Sequence, residues 1–346
     1  MKRKIIFALC VTLSLAITTA WSQGIIYVNV SSPAGAGGNG TTWATAYNDL
    51  QTALTNATAD NQIWVAKGTY YPSQIPVSAT GTLTDRHKTF QLMPNVSIYG
   101  GFEGTEENLS ERNWKDNITI LSGDIGTAGS TGDNCHHVVS AIGEVGNARL
   151  DGFTITDGVA NMTGTISVNS LSINNNYGGG MVIYDAGAGL TLTNLIVTNN
   201  VATSRGGGIY TDLSAIVNGN NITITNNTAN LGGGIYSGGD SKCNLTHSTV
   251  SNNTTNGHGA GIYLAGSSPE LTDVTIRGNS ITENNSGGGM YITNNSAPLL
   301  TRVTISKNIT QFSGGGVFCS GAQPVFTHVT VDSNIAASGE IGRAHV

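Results

Sequence analysis

Two acidic residues of the sequence are candidate ligands for a bound cation. Asp124 and Asp133 flank a loop rich in Gly, Ser and Thr. Calcium takes roughly six to eight oxygen ligands, which carboxylates and backbone carbonyls supply. We therefore treat Asp124 and Asp133 as candidate Ca²⁺ ligands. The alternative is a plain surface loop, because two carboxylates fall well short of that ligand number.

The residues suited to acid–base chemistry are scattered through a repeated pattern described below. Arg277 and Arg302 lie in adjacent repeats but at different positions of the repeat. Arg302 shares its position with Asp273, His247 and His328. A catalytic site needs unlike charges gathered in one groove, whereas a solvated column of mixed polar residues needs nothing more than exposure. The pattern favours the solvated column.

A metal centre or a carboxylate pair finds little support elsewhere. His136 and His137 open a predicted strand, with no Cys or His at metal-ligand spacing. Glycosidases use two carboxylic acids close together, and no Asp-Asp pair occurs in the sequence. We therefore expect no metal or organic cofactor, with Ca²⁺ at Asp124 and Asp133 as the one exception. The sequence also favours a noncatalytic protein over an enzyme.

The composition excludes several classes of protein. The chain has 346 residues, a net charge of −6, and only 10% charged residues, against roughly 25% in an average soluble domain. This charge is too low and of the wrong sign for a nucleic-acid binder that neutralises phosphates. The 47 glycines follow no three-residue period, which excludes collagen. A hydrophobic fraction of 38% is too high for a typical disordered chain.

The N-terminus has the pattern of a secretory signal peptide. Lys2, Arg3 and Lys4 precede an apolar run, and small residues at Ala20 and Ser22 suit cleavage before Gln23. We predict that residues 1–22 are removed on export. Three cysteines then remain, and an odd number does not indicate a disulfide framework. We expect them to be separate, buried thiols; they are Cys135, Cys243 and Cys319.

The body of the chain is an internal repeat of 26–28 residues. A Gly triplet or near-triplet opens each unit, and an aliphatic and an aromatic residue follow it in most units. The second half of each unit repeats as well, most clearly in LTDVTIRGN (271–279) and LTRVTISKN (300–308). The segments are short, β-branched and alternating, with Gly and Asn between them, which is typical of strands.

Three such strands in each unit predict an all-β fold, a right-handed parallel β-helix with about 27 residues per coil. We expect regular coils over residues 148–339, roughly seven of them at ~4.8 Å each. One position of every unit carries Asn, which tolerates left-handed turns and can bond to backbone and to the next Asn. We predict an inward Asn column formed by Asn200, Asn227, Asn253, Asn279, Asn308 and Asn334.

Residues 23–147 read as an N-terminal cap followed by irregular coils. Ile25–Val30 and Gln62–Ala66 are predicted strands. Between them an amphipathic helix is predicted to start at Trp43, because apolar residues recur at helical spacing through Leu54. A β-helix has open ends with unpaired edges, and such a helix would cover one of them.

Two columns are not explained by the core alone. The aliphatic residue and the aromatic residue after each Gly triplet alternate, so one must point outwards. We place the aliphatic column inside and treat the aromatic column as a candidate ligand-binding surface; it consists of Tyr210, Tyr236, Tyr263, Tyr291 and Phe318. The second column is a Thr array formed by Thr154, Thr223, Thr249, Thr275, Thr304 and Thr330. Thr also favours strands through propensity alone.

The last residues break the repeat. After Asn334 the pattern continues to Gly339, whereas Glu340–Val346 fits no part of it. The peptide EIGRAHV is also what a common sequencing adapter encodes in one reading frame. We therefore interpret residues 340–346 as an artefact of a truncated gene, and expect an outer-membrane export or anchoring domain to be missing from this fragment.

The repeats, together with motifs of the N-terminal block, resemble secreted bacterial right-handed β-helix proteins of the pectate-lyase-like superfold. The motifs are GTTWATAYNDLQ (40–51), IWVAKGTYYP (63–72), IYGGFEGTE (98–106) and LSGD (121–124). The units that open with Gly triplets are similar to the repeats of polymorphic outer-membrane proteins. The resemblance spans about residues 25–339. It implies the fold and export, while one superfold hosts lyases, hydrolases, adhesins and passengers.

The resemblance also defines what an enzyme would need. Lyases of this superfold use acidic Ca²⁺ ligands and an Arg or Lys base on one face, and such residues are sparse here. The segment Gly257–Gly259 resembles the Gly-His-Gly of polygalacturonases, but the accompanying acids are missing, so it is better interpreted as a variant Gly triplet.

We therefore expect a secreted or cell-surface noncatalytic β-helix protein, adhesin- or passenger-like, that binds glycans or surfaces. The expected partner is a polysaccharide or cell-surface glycan and not a nucleic acid. The expected location is extracellular or at the bacterial outer-membrane surface. The alternative is a polysaccharide lyase or glycoside hydrolase acting on acidic polysaccharide. A minor alternative is binding to ice or crystal surfaces through the Thr array.

Overall fold

The computed structural model describes residues 24–337. The predicted signal peptide and the predicted artefact at 340–346 lie outside the described residues. Nearly all regular structure is β, and the strands pair in parallel from one coil to the next. The predicted fold, a right-handed parallel β-helix, is confirmed. None of the described helices is long and apolar enough to cross a membrane.

Each coil presents three faces, and strands on each face pair with those of the coils before and after. Face 1 runs through strands Ile25–Val28, Gln62–Ala66, Ser97–Phe102, Arg149–Asp151, Leu190–Thr198, Ile216–Thr225, Lys242–Thr246, Glu270–Thr272, Leu299–Thr301 and Val325–Thr327. From Arg149 onwards face 1 has seven strands, which agrees with the number of coils predicted.

Face 2 follows face 1 after a sharp bend. Its strands are Gly68–Tyr70, Thr119–Ser122, Thr154–Thr156, the second halves of Leu190–Thr198 and Ile216–Thr225, Thr249–Ser251, Thr275–Arg277, Thr304–Ser306 and Thr330–Asp332. One residue forms the bend between face 1 and face 2 in each regular coil, and its φ is positive in every coil after the first. Polar residues occupy this position, and Asn and Asp tolerate positive φ best. The bend residues are Asn194, Asn221, His247, Asp273, Arg302 and His328.

Face 3 contains the aliphatic–aromatic pairs. Its strands are Phe90–Gln91, Val139–Ile142, Met181–Tyr184, Ile209–Asp212, Ile235–Gly238, Ile262–Ala265, Met290–Thr293 and Val317–Ser320. Two-residue strands connect face 2 to face 3, an element the sequence did not predict. They are Val159–Ala160, Val201–Ala202, Thr228–Ala229, Thr254–Thr255, Ser280–Ile281, Ile309–Thr310 and Ile335–Ala336.

The core is a continuous stack of inward aliphatic columns from the three faces. Leu192, Leu245 and Leu271 come from face 1, and Ile209 and Ile262 come from face 3; each is at most 2% exposed. One coil alone could not bury these residues, because each needs the coil above and the coil below. This dependence explains why the repeat continues with so little variation.

The Asn column is inward, as predicted. Asn227 is fully buried, and its Nδ2 donates to Val197 O at 2.9 Å and to Asn253 Oδ1 at 3.1 Å. The same pattern repeats from Asn200 to Asn334. The Gly triplets pack against this column: a Cβ on Gly208 would lie 3.0 Å from Asn227 Nδ2. The triplets are therefore required for close packing of backbone against the Asn bend.

The capping helix begins later than predicted. It spans Leu50–Asn56, and the Asp49 carboxylate accepts from Gln51 N and Thr52 N at its start. A start at Trp43 is wrong, because Tyr47 is extended and pairs with Val28 in the first strand. Short 3₁₀ turns occupy Gly35–Gly37, Trp43–Thr45, Asp85–His87 and Leu109–Glu111.

An antiparallel hairpin interrupts the solenoid. Thr165–Val168 pairs with Leu171–Asn174, and Thr80 adds a bridge to Ser167. Ile166, Val168 and Ile173 pack with Tyr210 in a second hydrophobic cluster outside the main core. The hairpin therefore covers the N-terminal part of face 3.

Candidate functional site

Face 1 of the regular coils carries a polar surface. There one inner residue of each strand, Leu192, Gly219, Leu245 or Leu271, is flanked by two outward residues, as in Thr191-Leu192-Thr193 and Asn244-Leu245-Thr246. Strand alternation places both flanking residues on the solvent side. Because the coils stack in register, these residues form two parallel columns of hydroxyl and amide groups.

A groove of about 550 Å³ runs across these columns. It crosses five successive strands, so at ~4.8 Å per strand it spans about 19 Å. Its lining residues are Arg149, Thr191, Thr193, Asn218, Gly219, Asn220, Asn244, Thr246, Glu270 and Thr272. All except Arg149 and Glu270 are neutral, and those two lie at opposite ends of the groove.

At the Arg149 end of the groove, the charged side chains are already paired with one another. The Asp151 side chain is almost fully buried, and its Oδ2 accepts from Arg149 NH2 at 2.6 Å. Its Oδ1 accepts from Arg112 NH2 at 2.7 Å and from Asn194 Nδ2 at 2.8 Å. Both guanidinium groups also lie over the Tyr99 ring. This arrangement anchors Arg149 as part of a structural network.

Several groove side chains keep their hydrogen-bonding groups available. Within residues 24–337, Thr193 and Asn220 make no side-chain hydrogen bond, and both are at least partly exposed. Asn244 instead accepts from Glu270 N at 2.9 Å, and Thr246 donates to Gly219 O at 3.2 Å. The groove therefore combines positioned backbone with free amide and hydroxyl groups, which suits a ligand rich in hydroxyls.

The aromatic column on face 3 points outwards, and its aliphatic neighbours point into the core. The column is open over only part of its length. Tyr210 and Tyr236 are 2% and 5% exposed, because the hairpin cluster and Arg205 cover them. Tyr263, Tyr291 and Phe318 are partly exposed. A ligand can therefore reach only the C-terminal part of the predicted surface.

The ring geometry limits what this column can bind. Tyr236, Tyr263, Tyr291 and Phe318 stack nearly parallel, with centroids 5.0–5.2 Å apart. Tyr236, Tyr263 and Tyr291 each have a stacked neighbour on both faces, so they present only an edge and a hydroxyl, whereas Phe318 stacks on Tyr291 through one face. Burial raises the pKa of Tyr263 to about 12, so its hydroxyl stays protonated. The tyrosines of the column therefore offer hydrogen bonds and apolar edges, not open ring faces for stacking.

The ionic residues singled out in the sequence form a surface pair. Arg302 binds Asp273 through two bonds, Nε–Oδ1 at 2.6 Å and NH2–Oδ2 at 2.7 Å. His247 Nε2 lies 3.7 Å from Asp273 Oδ2. Arg277 lies on a different column of face 2 and is exposed. His328 shares the bend position and is also exposed. His247, Asp273, Arg302 and His328 thus share one polar column at the bend, and Arg277 lies outside it.

The two candidate calcium ligands each cap a turn. Asp124 Oδ2 accepts from Gly129 N at 2.9 Å, and Asp133 Oδ2 accepts from Thr127 N at 2.7 Å. The bond from Thr127 holds the pKa of Asp133 below its usual range. Each Asp leaves Oδ1 without a hydrogen-bond partner. No three His, Cys, Asp or Glu side chains within residues 24–337 come together as a metal site, so a Ca²⁺ site here stays a prediction.

His136 and His137 are both buried. His136 Nδ1 lies 3.3 Å from Val159 O, and His137 Nδ1 lies 3.0 Å from Gly178 O. These two carbonyls stand at the two roots of the hairpin insertion. The Nε2 atoms of both rings are buried without a partner. Burial lowers the pKa of His136 to about 3 and that of His137 to about 4, so both are neutral.

The cysteines differ from one another. Cys135 and Cys243 are buried and free, as predicted. The expectation of burial is wrong for Cys319, which is free but exposed. Its column is inward in earlier coils, where Ile292 is its partner, and the side chain becomes accessible in the last described coil.

The groove on face 1 was missed by the sequence reasoning, although a signal was present. A triplet with an inward Leu between two outward polar residues repeats along the sequence. It reads Thr-Leu-Thr at 191–193, Asn-Leu-Thr at 244–246 and Glu-Leu-Thr at 270–272. The network around Asp151 had no such signal, because Arg112 reaches it from a separate loop.

Comparison with known proteins agrees with this architecture. The sequence matches the family model of the right-handed beta helix region over residues 233–341. It also matches the Chlamydia polymorphic membrane protein repeat over residues 194–212 and 221–238. No curated protein matches the sequence. The chain therefore folds as a right-handed parallel β-helix, and two of its segments are similar to the polymorphic membrane protein repeat.

Two solved structures share its architecture. Pectate lyase Pel9A has a TM-score of 0.52 and 13% identity, over 93% of this chain and 81% of that chain. A rhamnogalacturonan lyase has a TM-score of 0.51 and 13% identity, over 85% of this chain and 72% of that chain. At this identity the likeness shows the fold alone.

Proposed function

We propose that this protein is a secreted or cell-surface, noncatalytic β-helix of the adhesin or passenger type that binds a neutral polysaccharide in the face-1 groove. The observation that carries the proposal is the groove lining. Hydroxyl and amide groups from four successive coils line a polar groove, with one cation and one anion about 19 Å apart at its ends. The export signal predicted at residues 1–22 and the polymorphic membrane protein repeats support a surface location.

The noncatalytic character follows from how the charged groups are used. Arg149 is held by the buried Asp151 carboxylate, which Arg112 also binds. Glu270 lies at the far end and cannot cooperate with it across ~19 Å. An acid–base reaction needs its groups within hydrogen-bond reach of one substrate atom. The groove supplies binding groups along its length and no such pair.

The test is affinity electrophoresis and calorimetry of the secreted chain with a panel of neutral and acidic polysaccharides. Thr193→Val and Asn220→Ala remove free groove groups without breaking an internal hydrogen bond. Each should weaken binding about fivefold, since one hydrogen bond contributes ~1 kcal/mol. Thr275→Val makes the same kind of change on face 2 and should leave binding unchanged. Binding to no polysaccharide, or equal binding by all variants, would overturn the proposal.

A polysaccharide lyase is the second candidate, favoured by Arg149 at one end of the groove. Incubation with polyuronates, with and without Ca²⁺, distinguishes the two. Accumulation of unsaturated product that Arg149→Lys abolishes would establish lyase activity and refute the noncatalytic assignment.

Binding to ice through the Thr array is a weaker candidate. The structure aligns Thr223, Thr249 and Thr275 on face 2, but Ile196 breaks this column. Arg277 and Asp332 break the adjacent one. Thermal hysteresis measurements would detect this activity.

A further inference from the structure

A small apolar pocket interrupts face 2 at one point. Every other regular coil places Thr at this outward position, whereas the coil of strand Leu190–Thr198 places Ile196 there, 37% exposed. The pocket encloses about 170 Å³. Its lining residues are Trp114, Lys115, Ile118, Thr119, Gly152, Phe153, Thr154, Asn194 and Ile196.

The pocket walls are apolar, but two donors stand among the lining residues. Trp114, Ile118 and Ile196 form the walls together with the buried Phe153. The Lys115 ammonium lies 5.3 Å from the centre of the Trp114 ring and forms no ion pair within residues 24–337. The Thr154 hydroxyl also has no hydrogen bond there, whereas the Asn194 amide is occupied by Asp151 and Asn221.

The pocket is large enough to hold one substituent of a ligand but too small to hold a whole ligand. Pockets for complete small molecules enclose roughly 300–1,000 Å³, well above the volume found here. The lining suits one apolar group that carries an acceptor, because the walls are apolar and the two unused groups are donors. A bare methyl group would leave both donors unpaired.

We propose that this pocket holds the acetyl group of an acetylated glycan. The acetyl methyl group packs against Ile196 and Trp114, and its carbonyl accepts from Lys115 or Thr154. The pocket and the face-1 groove meet at the bend, because Asn194 lines the pocket and Thr193 lines the groove. The inference rests on the proposed function, since the groove holds the sugar chain whose acetyl group turns the bend into the pocket.

The first experiment tests the pocket without the groove. Tryptophan fluorescence of the mature chain, to which Trp43 and Trp64 contribute besides Trp114, is followed as N-acetylglucosamine or glucose is added at millimolar concentration. We expect a saturable change with the acetylated sugar only. Ile196→Thr restores the residue that the other coils carry, so it should fold and abolish the change. Thr249→Ile, the reverse change two coils away, should behave like wild type. Identical responses of wild type and Ile196→Thr overturn the inference.

The second experiment separates the two proposals. Acetylated glucomannan is compared with the same polymer after mild alkali, which removes only the acetyl groups. We expect about fourfold tighter binding of the acetylated form, equivalent to the ~0.8 kcal/mol of burying one methyl-sized group. Ile196→Thr should remove that preference and keep the remaining affinity. Equal binding of both polymers by wild type overturns the pocket assignment and leaves the groove function intact.

If neither polymer binds while N-acetylglucosamine still gives the Ile196-dependent fluorescence change, the pocket assignment stands and the groove function is refuted for this polymer.

Discussion

Mild acid should destabilise this protein through two buried histidines. Burial lowers the pKa of His136 to about 3 and that of His137 to about 4, and both rings keep an unpartnered Nε2. An unfolded His has a pKa near ~6.5. Below that pH these two histidines bind protons in the unfolded chain, whereas in the folded chain they stay neutral. Stability is therefore complete above about pH 6.5 and falls as the pH drops towards 4.

The size of the effect follows from the pKa difference. At about pH 5 each histidine favours the unfolded state by ~2 kcal/mol relative to neutral pH, because one pKa unit corresponds to ~1.36 kcal/mol. The two together give a loss of ~4 kcal/mol. Carboxylates contribute little in this window, because Asp and Glu titrate near ~4.

The other charged groups near the pair act in the same direction. Arg86 donates to Asn134 O and Val159 O beside His136, and His87 lies with its ring 5.0 Å from the ring of His136. Both disfavour an added positive charge at His136. The pair bonds to the two roots of the hairpin, so hydrogen exchange of residues 161–177 should accelerate before that of the coils as the pH falls.

The assay is urea unfolding at about pH 7 and about pH 5. The double variant His136→Asn/His137→Asn retains a side-chain donor for Val159 O and Gly178 O and removes both titrations. It should be less stable at neutral pH, because the smaller side chains leave a cavity, yet lose less than wild type on acidification. Some loss remains, because burial also lowers the pKa of His87, which the double variant retains. His247→Asn is the matched control, since Asn occupies its exposed bend position in other coils. A wild-type stability that does not change between the two pH values, or a double variant that loses as much as wild type, would refute the reasoning.

Three further predictions follow from the stack. Asn253→Ala should lower the free energy of unfolding by ~3 kcal/mol in chemical denaturation, since it leaves Asn227 N without its buried acceptor and Ile224 O without the Asn253 amide donor; the exposed Asn256→Ala should change it by less than ~0.5 kcal/mol. A chelator should leave the far-UV circular dichroism unchanged, whereas a loss of signal would identify Asp124 and Asp133 as Ca²⁺ ligands. Hydrogen exchange should be faster in residues 317–336 than in 209–251, because Val325 and Ile335 are 54% and 56% exposed; equal protection would contradict this.

The fold could be predicted from the sequence because the chain is an internal repeat. Gly triplets 26–28 residues apart, and one Asn per unit, fix where each coil bends, and alternation around the inner Leu and Ile fixes which side faces the core. These are local rules repeated many times, so each unit confirms its neighbours. The inward Asn column and the outward aromatic column followed directly from them.

Other features depend on contacts between segments that no local rule relates. Trp43 reads as helical by spacing, but the pairing of Tyr47 with Val28 holds the backbone extended until Asp49 caps a shorter helix. The hairpin at Thr165–Asn174 covers Tyr210 and Tyr236, which the repeat alone leaves exposed. Arg112 reaches Asp151 from a distant loop and neutralises one end of the groove.

The candidate site divides in the same way. The columns of Thr and Asn could be predicted from the sequence, because strand alternation needs only nearest neighbours. Which columns stay open depends on the fold, since an insertion from another part of the chain can fold back over them. The single exception in the Thr column, Ile196, was visible in the sequence. Its meaning came from Trp114 and Ile118, which the fold brings beside it from a long loop two coils earlier.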